Sequence, residues 1–199
     1  MTNLNSGYIS AKSNKIRKIT VLKKFMVDII DDNQNIKRFM RHMTKLPLAK
    51  KSEDYNGNIK VQSDIRNSLL IDSDEGEQCL YNGGFNPEMS NIKIPYIFVN
   101  SYRSYITGVD QSIYFAIHIL CPENYNGLLN YGDERIYEIA NEIAQLLDGY
   151  TIEKEDIVKK AGNLKIEING EITESRMSKS NDIIILSIPI KIKNIALRS

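Results

Sequence analysis

Between residues 112 and 149 the apolar side chains change their repeat, and that change confines the chain to folds in which a sheet and a helix share one core. Ile113, Phe115, Ile117 and Ile119 alternate with Tyr114, Ala116, His118 and Leu120, the period of a strand. Ile136, Ile139, Ala140, Ile143, Leu146 and Leu147 then follow the three-and-four spacing of an amphipathic helix. Asp133 stands where an N-cap belongs, and Gly149 where a left-handed C-cap is wanted.

The same reading extends in both directions. Leu22, Phe25, Met26, Ile29 and Ile30 predict a helix that DDNQN at 31–35 interrupts. Asp32 or Asn33 can cap a second helix, with Ile36, Phe39, Met40 and Met43 carrying the stripe on to Pro47. IKIPYIFVNSY from Ile92 predicts a strand before SIYFAIHIL, and SYRSYITGVDQ suits an antiparallel connection turning around Gly108–Asp110. After a charged connection at 151–160, LKIEI and EITESR flank Asn169–Gly170, a dipeptide suited to a type I′ hairpin turn. IIILSIPIKI closes the pattern; Pro189 cannot donate a ladder hydrogen bond, so this strand should lie at an edge or carry a bulge there. The expected architecture is α+β, a mostly antiparallel sheet with helices packed on one face.

With 199 residues the chain fits one domain, 19–199, preceded by a polar arm at 1–18. Residues 48–91, dense in Asp, Glu, Asn and Gly, have little periodicity beyond Ile59–Val61 and Ser68–Ile71, and read as a long interaction excursion. NGGF at 82–85 is turn chemistry. No run reaches the roughly 20 apolar residues of a membrane-spanning helix, and the N-terminus carries no apolar signal core, so production in the cytoplasm is expected.

Familiar catalytic patterns are missing from the sequence. There is no GxxxxGK[ST], no GxGxxG after a strand and no GxSxG elbow. His42 and His118, the two histidines, have no HExxH context. Cys79 and Cys121 form no CxxC and read as idle thiols. Asp72, Asp74, Glu75 and Glu77 resemble a calcium loop only superficially, lacking its DxDxDG register. No enzymatic role, metal or cofactor is expected.

The net charge of +1 conceals a polarity along the chain. Residues 1–51 carry 12 positive and 3 negative side chains, residues 52–91 carry 2 and 8, and the remainder 12 and 14. Lys12, Lys15, Arg17, Lys18, Lys23, Lys24, Lys37, Arg38, Arg41 and Lys45 could neutralise phosphates, which keeps a DNA-associated protein as an alternative, though no recognition module is visible. The other outlet is self-association: the basic region around Lys50 and Lys51 is expected to face the acidic Asp72, Asp74, Glu75 and Glu77 of a neighbouring copy.

The succession LKKFMVDIIDDNQNIKRFM, KIPYIFVN, IYFAIHIL, RIYEIANEIAQLLDG and IIILSIPIKI resembles the tail-terminator proteins of tailed phages and contractile bacteriocins, over roughly 19–47 and 92–193. The polar arm and the 48–91 segment depart from that family. The resemblance implies a hexameric ring in the tail or neck of a virion or tail-like particle. Such a ring caps the tail tube, with tube protein, sheath protein and a head-side connector as partners, and DNA passes only as cargo through its lumen. Another head-tail connector or neck subunit is the alternative within the same class.

Overall fold

A computed structural model describes residues 19–70, 79–81, 83, 94–107, 110–127, 129, 132–152, 164–177 and 183–194. The expected arm at 1–18 lies outside them, as does the NGGF turn apart from Gly83. Three helices stand among the described residues: α1 over 19–32, α2 over Gln34–Arg41 and α3 over Arg135–Leu147. The strands are β1 Lys51–Glu53, β2 Ile59–Val61, β3 Leu80–Tyr81, β4 Tyr96–Thr107, β5 Asp110–Pro122, β6 Thr151–Ile152, β7 Leu164–Ile168, β8 Thr173–Met177 and β9 Ile183–Asn194. β1 and β2 form a separate hairpin; the other seven make one sheet in the order β3-β4-β5-β9-β7-β6, with β8 also on β9.

The alternating pattern of β5 divides the sheet into two faces. Phe115, Ile117, Ile119 and Cys121 join Ile97 and Val99 of β4, and Ile184, Leu186, Ile188, Ile190 and Ile192 of β9, in the main core. Leu22, Met26 and Ile30 of α1, Ile36, Phe39 and Met40 of α2, and Ile136, Ile139, Ile143 and Leu147 of α3 close over that face. On the opposite face Phe98, Leu120 and Ile183 form a smaller cluster flanked by Tyr81, Tyr96, Met177 and Ile185. The fold is therefore α+β, antiparallel throughout its long strands, with β3 against β4 as a parallel exception.

Several local expectations are corrected. Arg103 to Thr107, expected in the connection, continue β4 past a register shift after Ser101. Asn169–Gly170 does not turn a hairpin. β7 pairs Leu164–Ile168 with Asn194–Ile190, and β8 resumes on the same side of β9, pairing Thr173–Met177 with Ser187–Ile183. Residues 169–172 therefore bulge out opposite Ile188 and Pro189. The reason is the proline: Asn169 donates to the Pro189 carbonyl (2.9 Å), which places the missing Pro189 donor on the same side. Gly170 adopts φ 128° there, where a Cβ would meet Pro189 Cγ at 3.4 Å. β9 is accordingly internal, and its proline is accommodated by the partner strand.

The helix caps are also reassigned. Asn33 caps α2 as expected, its side chain accepting from the Ile36 N–H (3.0 Å). The helix stops at Arg41 rather than near Pro47, because His42 turns to extended backbone and Met43 points to solvent. For α3 the N-cap position is Glu134, whose side chain makes no capping bond. Asn126 supplies it from the preceding loop: Oδ1 accepts from Ile136 N–H (2.9 Å), and Nδ2 donates to Glu134 (2.6 Å). Gly149, with φ 78°, follows α3 as expected and donates to the Ile166 carbonyl.

Candidate functional site

Part of the expected excursion is tightly built. β1 and β2 are joined by an Asp54–Asn58 turn in which Asp54 Oδ1 accepts from the backbone of Asn56 and Asn58 (2.9 Å each), with Gly57 at φ 81°. These donors hold the Asp54 carboxyl below its ordinary range. Beneath the hairpin, buried Gln62 accepts from Thr44 Oγ1 (2.7 Å) and donates to the carbonyls of Leu46 and Ala49 (2.9 Å each). Ser52 accepts from the Leu46 N–H (2.9 Å). Further along, Asp31 of α1 accepts from the Leu69 N–H (2.6 Å) and the Ser68 hydroxyl (2.7 Å), which ties the end of this stretch to the core.

The hairpin is joined to the helices through Arg135. This side chain is wholly buried, yet no carboxylate meets it among the described residues. Its guanidinium donates to the carbonyls of Tyr125 (3.1 Å), Phe39, His42 and Thr44 (2.8 Å each), and to the Tyr55 hydroxyl (3.3 Å). Tyr125 lies under it at 5.1 Å from the ring centroid and donates its own hydroxyl to Met40 O (2.9 Å). The cation thus sits at the C-terminal end of α2, where unpaired carbonyls and the helix dipole present negative charge. Burial pushes the Tyr125 phenol up to about 12, so it remains a neutral donor. Tyr55 extends the link by donating to Gly127 O (3.0 Å).

Between this junction and β2 lies a cleft of about 440 Å³, lined in part by Arg41, His42, Met43, Tyr55, Lys60 and Val61. Met43 and Val61 make its lining apolar as well as cationic, and apolar side chains are exposed on the hairpin and on the segment before it. Ile59 is 63% exposed and Val61 77%, with Met43, Leu48 and Tyr55 also open to solvent. The cross-strand pairs Lys51–Val61 and Glu53–Ile59 share the outer hairpin face, whereas Ser52 of the pair Ser52–Lys60 is buried against the body.

Lys50 and Lys51 are exposed, Lys50 just before β1 and Lys51 at its first position. Neither forms an ion pair among the described residues. Asp72, Asp74, Glu75 and Glu77 lie outside those residues. Several other cations of the basic region are occupied internally. Lys37 stands 3.7 Å from Asp31, Lys45 is 3.3 Å from Glu53, and Arg38 donates to the carbonyls of Pro47 (3.1 Å) and Ala49 (2.7 Å).

The histidines have ordinary partners: His42 Nε2 lies 2.9 Å from Ser63 O, and His118 Nδ1 lies 2.8 Å from Ser187 Oγ. No cluster of His, Cys, Asp or Glu able to hold a metal occurs among the described residues. Cys79 and Cys121 are buried and form no disulfide, and burial pushes the Cys121 thiol up to about 12. No described helix is long and apolar enough to cross a membrane. The sequence reading missed Arg135, although a signal was present: it lies four and eight residues before Ile139 and Ile143, a charge on the apolar stripe. No family model matches this chain, and neither a curated protein nor a solved structure does.

Proposed function

We propose that this chain is a structural assembly subunit that forms a closed ring of the tail-terminator kind, capping a tail tube and joining it to a head-side connector. The observation that carries the proposal is the β1–β2 hairpin, held rigidly from below while Ile59 and Val61 face solvent. Ordering a hairpin costs conformational entropy, and exposing two β-branched side chains recovers none of it by burial. An interface recovers it. In this reading the exposed apolar side chains supply most of the association energy, because exposed ion pairs contribute only about 0–1 kcal/mol each. Lys50 and Lys51 add charge-steered register against Asp72, Asp74, Glu75 and Glu77 of the next subunit. Positioning for assembly requires no nucleophile, metal or cofactor.

Native mass spectrometry of the purified chain, followed by electron microscopy with tail tubes, tests this reading. The expected result is a single ring species, six subunits by the family resemblance, seated on tube ends. A chain that stays monomeric at its solubility limit and ignores tube ends overturns it; rings that bind a portal in preference to a tube favour a connector.

A further inference from the structure

The cleft between β2 and the end of α2 combines an excess of positive charge with an aromatic wall fixed in place. Arg41, the last residue of α2, and Lys60, the middle residue of β2, both line it. A helix C-terminus ordinarily repels an anion, because its last carbonyls carry partial negative charge. Here those carbonyls are occupied from behind: Phe39 O and His42 O accept from Arg135, and Met40 O accepts from the Tyr125 hydroxyl. Asp54 also lines the cleft, but its carboxylate is engaged within its own turn. Oδ1 accepts from the Asn56 and Asn58 amides and Oδ2 from the Asn58 side chain (3.2 Å), and the side chain is only 15% exposed. Leaving His42 out of the count, the cations Arg41, Lys60 and Arg135 set against Asp54 give a local charge of +2. Tyr55 is held at its hydroxyl, which accepts from Arg135 (3.3 Å) and donates to Gly127 O (3.0 Å), while its ring stays partly exposed beside Met43 and Val61.

We infer that this cleft binds a small molecule bearing a phosphate monoester at one end and a flat ring at the other, an aryl phosphate or a nucleoside monophosphate. A phosphate monoester carries a charge of about −1.5 to −2 at neutral pH, which matches the local excess; a single carboxylate would leave part of that excess unmet. Arg41 offers the planar donors that suit phosphate oxygens, and Lys60 a point charge from the facing strand. Lys60 is 56% exposed and stands 3.7 Å from Asp54, so it can turn to a phosphate without breaking a buried contact. The ring lies against Tyr55, flanked by Met43 and Val61. Because Tyr55 is already held by Arg135 and Gly127, little of the binding energy is lost in ordering it. A volume of about 440 Å³ falls within the range of about 300–1,000 Å³ usual for small-molecule sites. The inference stands apart from the ring reading, since one chain supplies the whole lining.

Isothermal titration calorimetry of the full chain with phenyl phosphate, adenosine monophosphate, inorganic phosphate and adenosine tests the inference. At least one of the two ring-bearing phosphates is expected to bind at least tenfold more tightly than both inorganic phosphate and adenosine. Comparable binding of the two identifies a general aryl-phosphate site, and binding of adenosine monophosphate alone identifies a nucleotide site. Lys60→Gln is expected to weaken that binding about tenfold while its urea midpoint stays put, because the side chain is exposed. Gly127→Ala, whose Cβ would stand 2.7 Å from the Tyr55 ring, is expected to remove the advantage of the ring-bearing ligand over inorganic phosphate. The inference is overturned if no ligand binds, if neither ester outbinds inorganic phosphate, if adenosine binds as tightly as its monophosphate, or if Lys60→Gln binds at full strength. Ring formation is scored separately, so rings without ligand binding sink this inference while sparing the assembly reading.

Discussion

Replacing Arg135 by methionine is the most informative perturbation of this molecule. The guanidinium is completely buried and serves the carbonyls of Phe39, His42, Thr44 and Tyr125 together with the Tyr55 hydroxyl. Methionine keeps much of the volume and offers no donor, so four carbonyls lose a charged partner at once. Leaving a buried acceptor without its partner costs about 1–3 kcal/mol, whereas bringing a charge into the interior itself carries a desolvation penalty that methionine avoids. Here the first effect should win, because the acceptors are backbone groups at the end of α2 and cannot be removed along with the charge. A loss of about 3–4 kcal/mol is expected, out of a total that for such domains is about 5–15 kcal/mol. With a urea m-value of about 2 kcal/mol/M, the midpoint should fall by about 1.5–2 M. Arg135→Lys keeps the charge but offers three donors from one point, so it should fall by roughly half as much. Hydrogen exchange of the methionine variant should be faster across residues 55–62, since Tyr55 loses its link to the helices. A midpoint unchanged or raised in Arg135→Met would refute the reasoning, by showing that the carbonyls are satisfied without the cation.

Asn126→Ala removes the bond that caps α3 and should cost about 1 kcal/mol, read as a lowered urea midpoint with unchanged m. Gly127→Ala places a Cβ 2.7 Å from the Tyr55 ring, so Tyr55 must leave its site; a perturbed Tyr55 resonance with α3 intact is the expected NMR result. Burial lowers the His118 pKa, so the unfolded chain takes up that proton first as pH falls. Stability should accordingly decline as pH drops from the unfolded value near 6.5 toward the lower folded value and level off beneath it, and His118→Gln should flatten that part of a pH series of urea midpoints. Cys79 and Cys121 should react with a thiol reagent at pH 8 only as fast as the protein opens, because both are buried and the Cys121 thiol is pushed up to about 12.

The long elements were legible because burial on one side imposes a strict period. Ile113 to Ile119 and Ile136 to Leu147 carry that period, and their strand and helix lie where it puts them. The excursion was less legible. β1 and β2 have three residues each, too few for a period, and their hairpin depends on Asp54, Ser52 and Gln62 bonding to backbone, which composition alone reads as polar loop. Asn169–Gly170 misled for a related reason: the dipeptide is a good tight turn, but a proline twenty residues later, on another strand, required a bulge instead. Of the expected contact residues, Lys50 and Lys51 are exposed at the β1–β2 hairpin, and Asp72, Asp74, Glu75 and Glu77 lie outside the described residues. Ile59 and Val61 were read only as a short apolar run, since nothing in a sequence says which apolar residues stay outside.

The interruption between β7 and β8 bears on solubility. A long outer strand without a break would offer a continuous template to any unfolded chain, the route by which sheet proteins stack into insoluble fibres. Here that side of β9 is divided by the loop at 169–172, β7 is covered by β6, and exposed β8 carries Glu174 and Arg176. Indiscriminate growth from the main sheet is thereby discouraged, so a small hairpin can remain sticky without committing the whole molecule to precipitation.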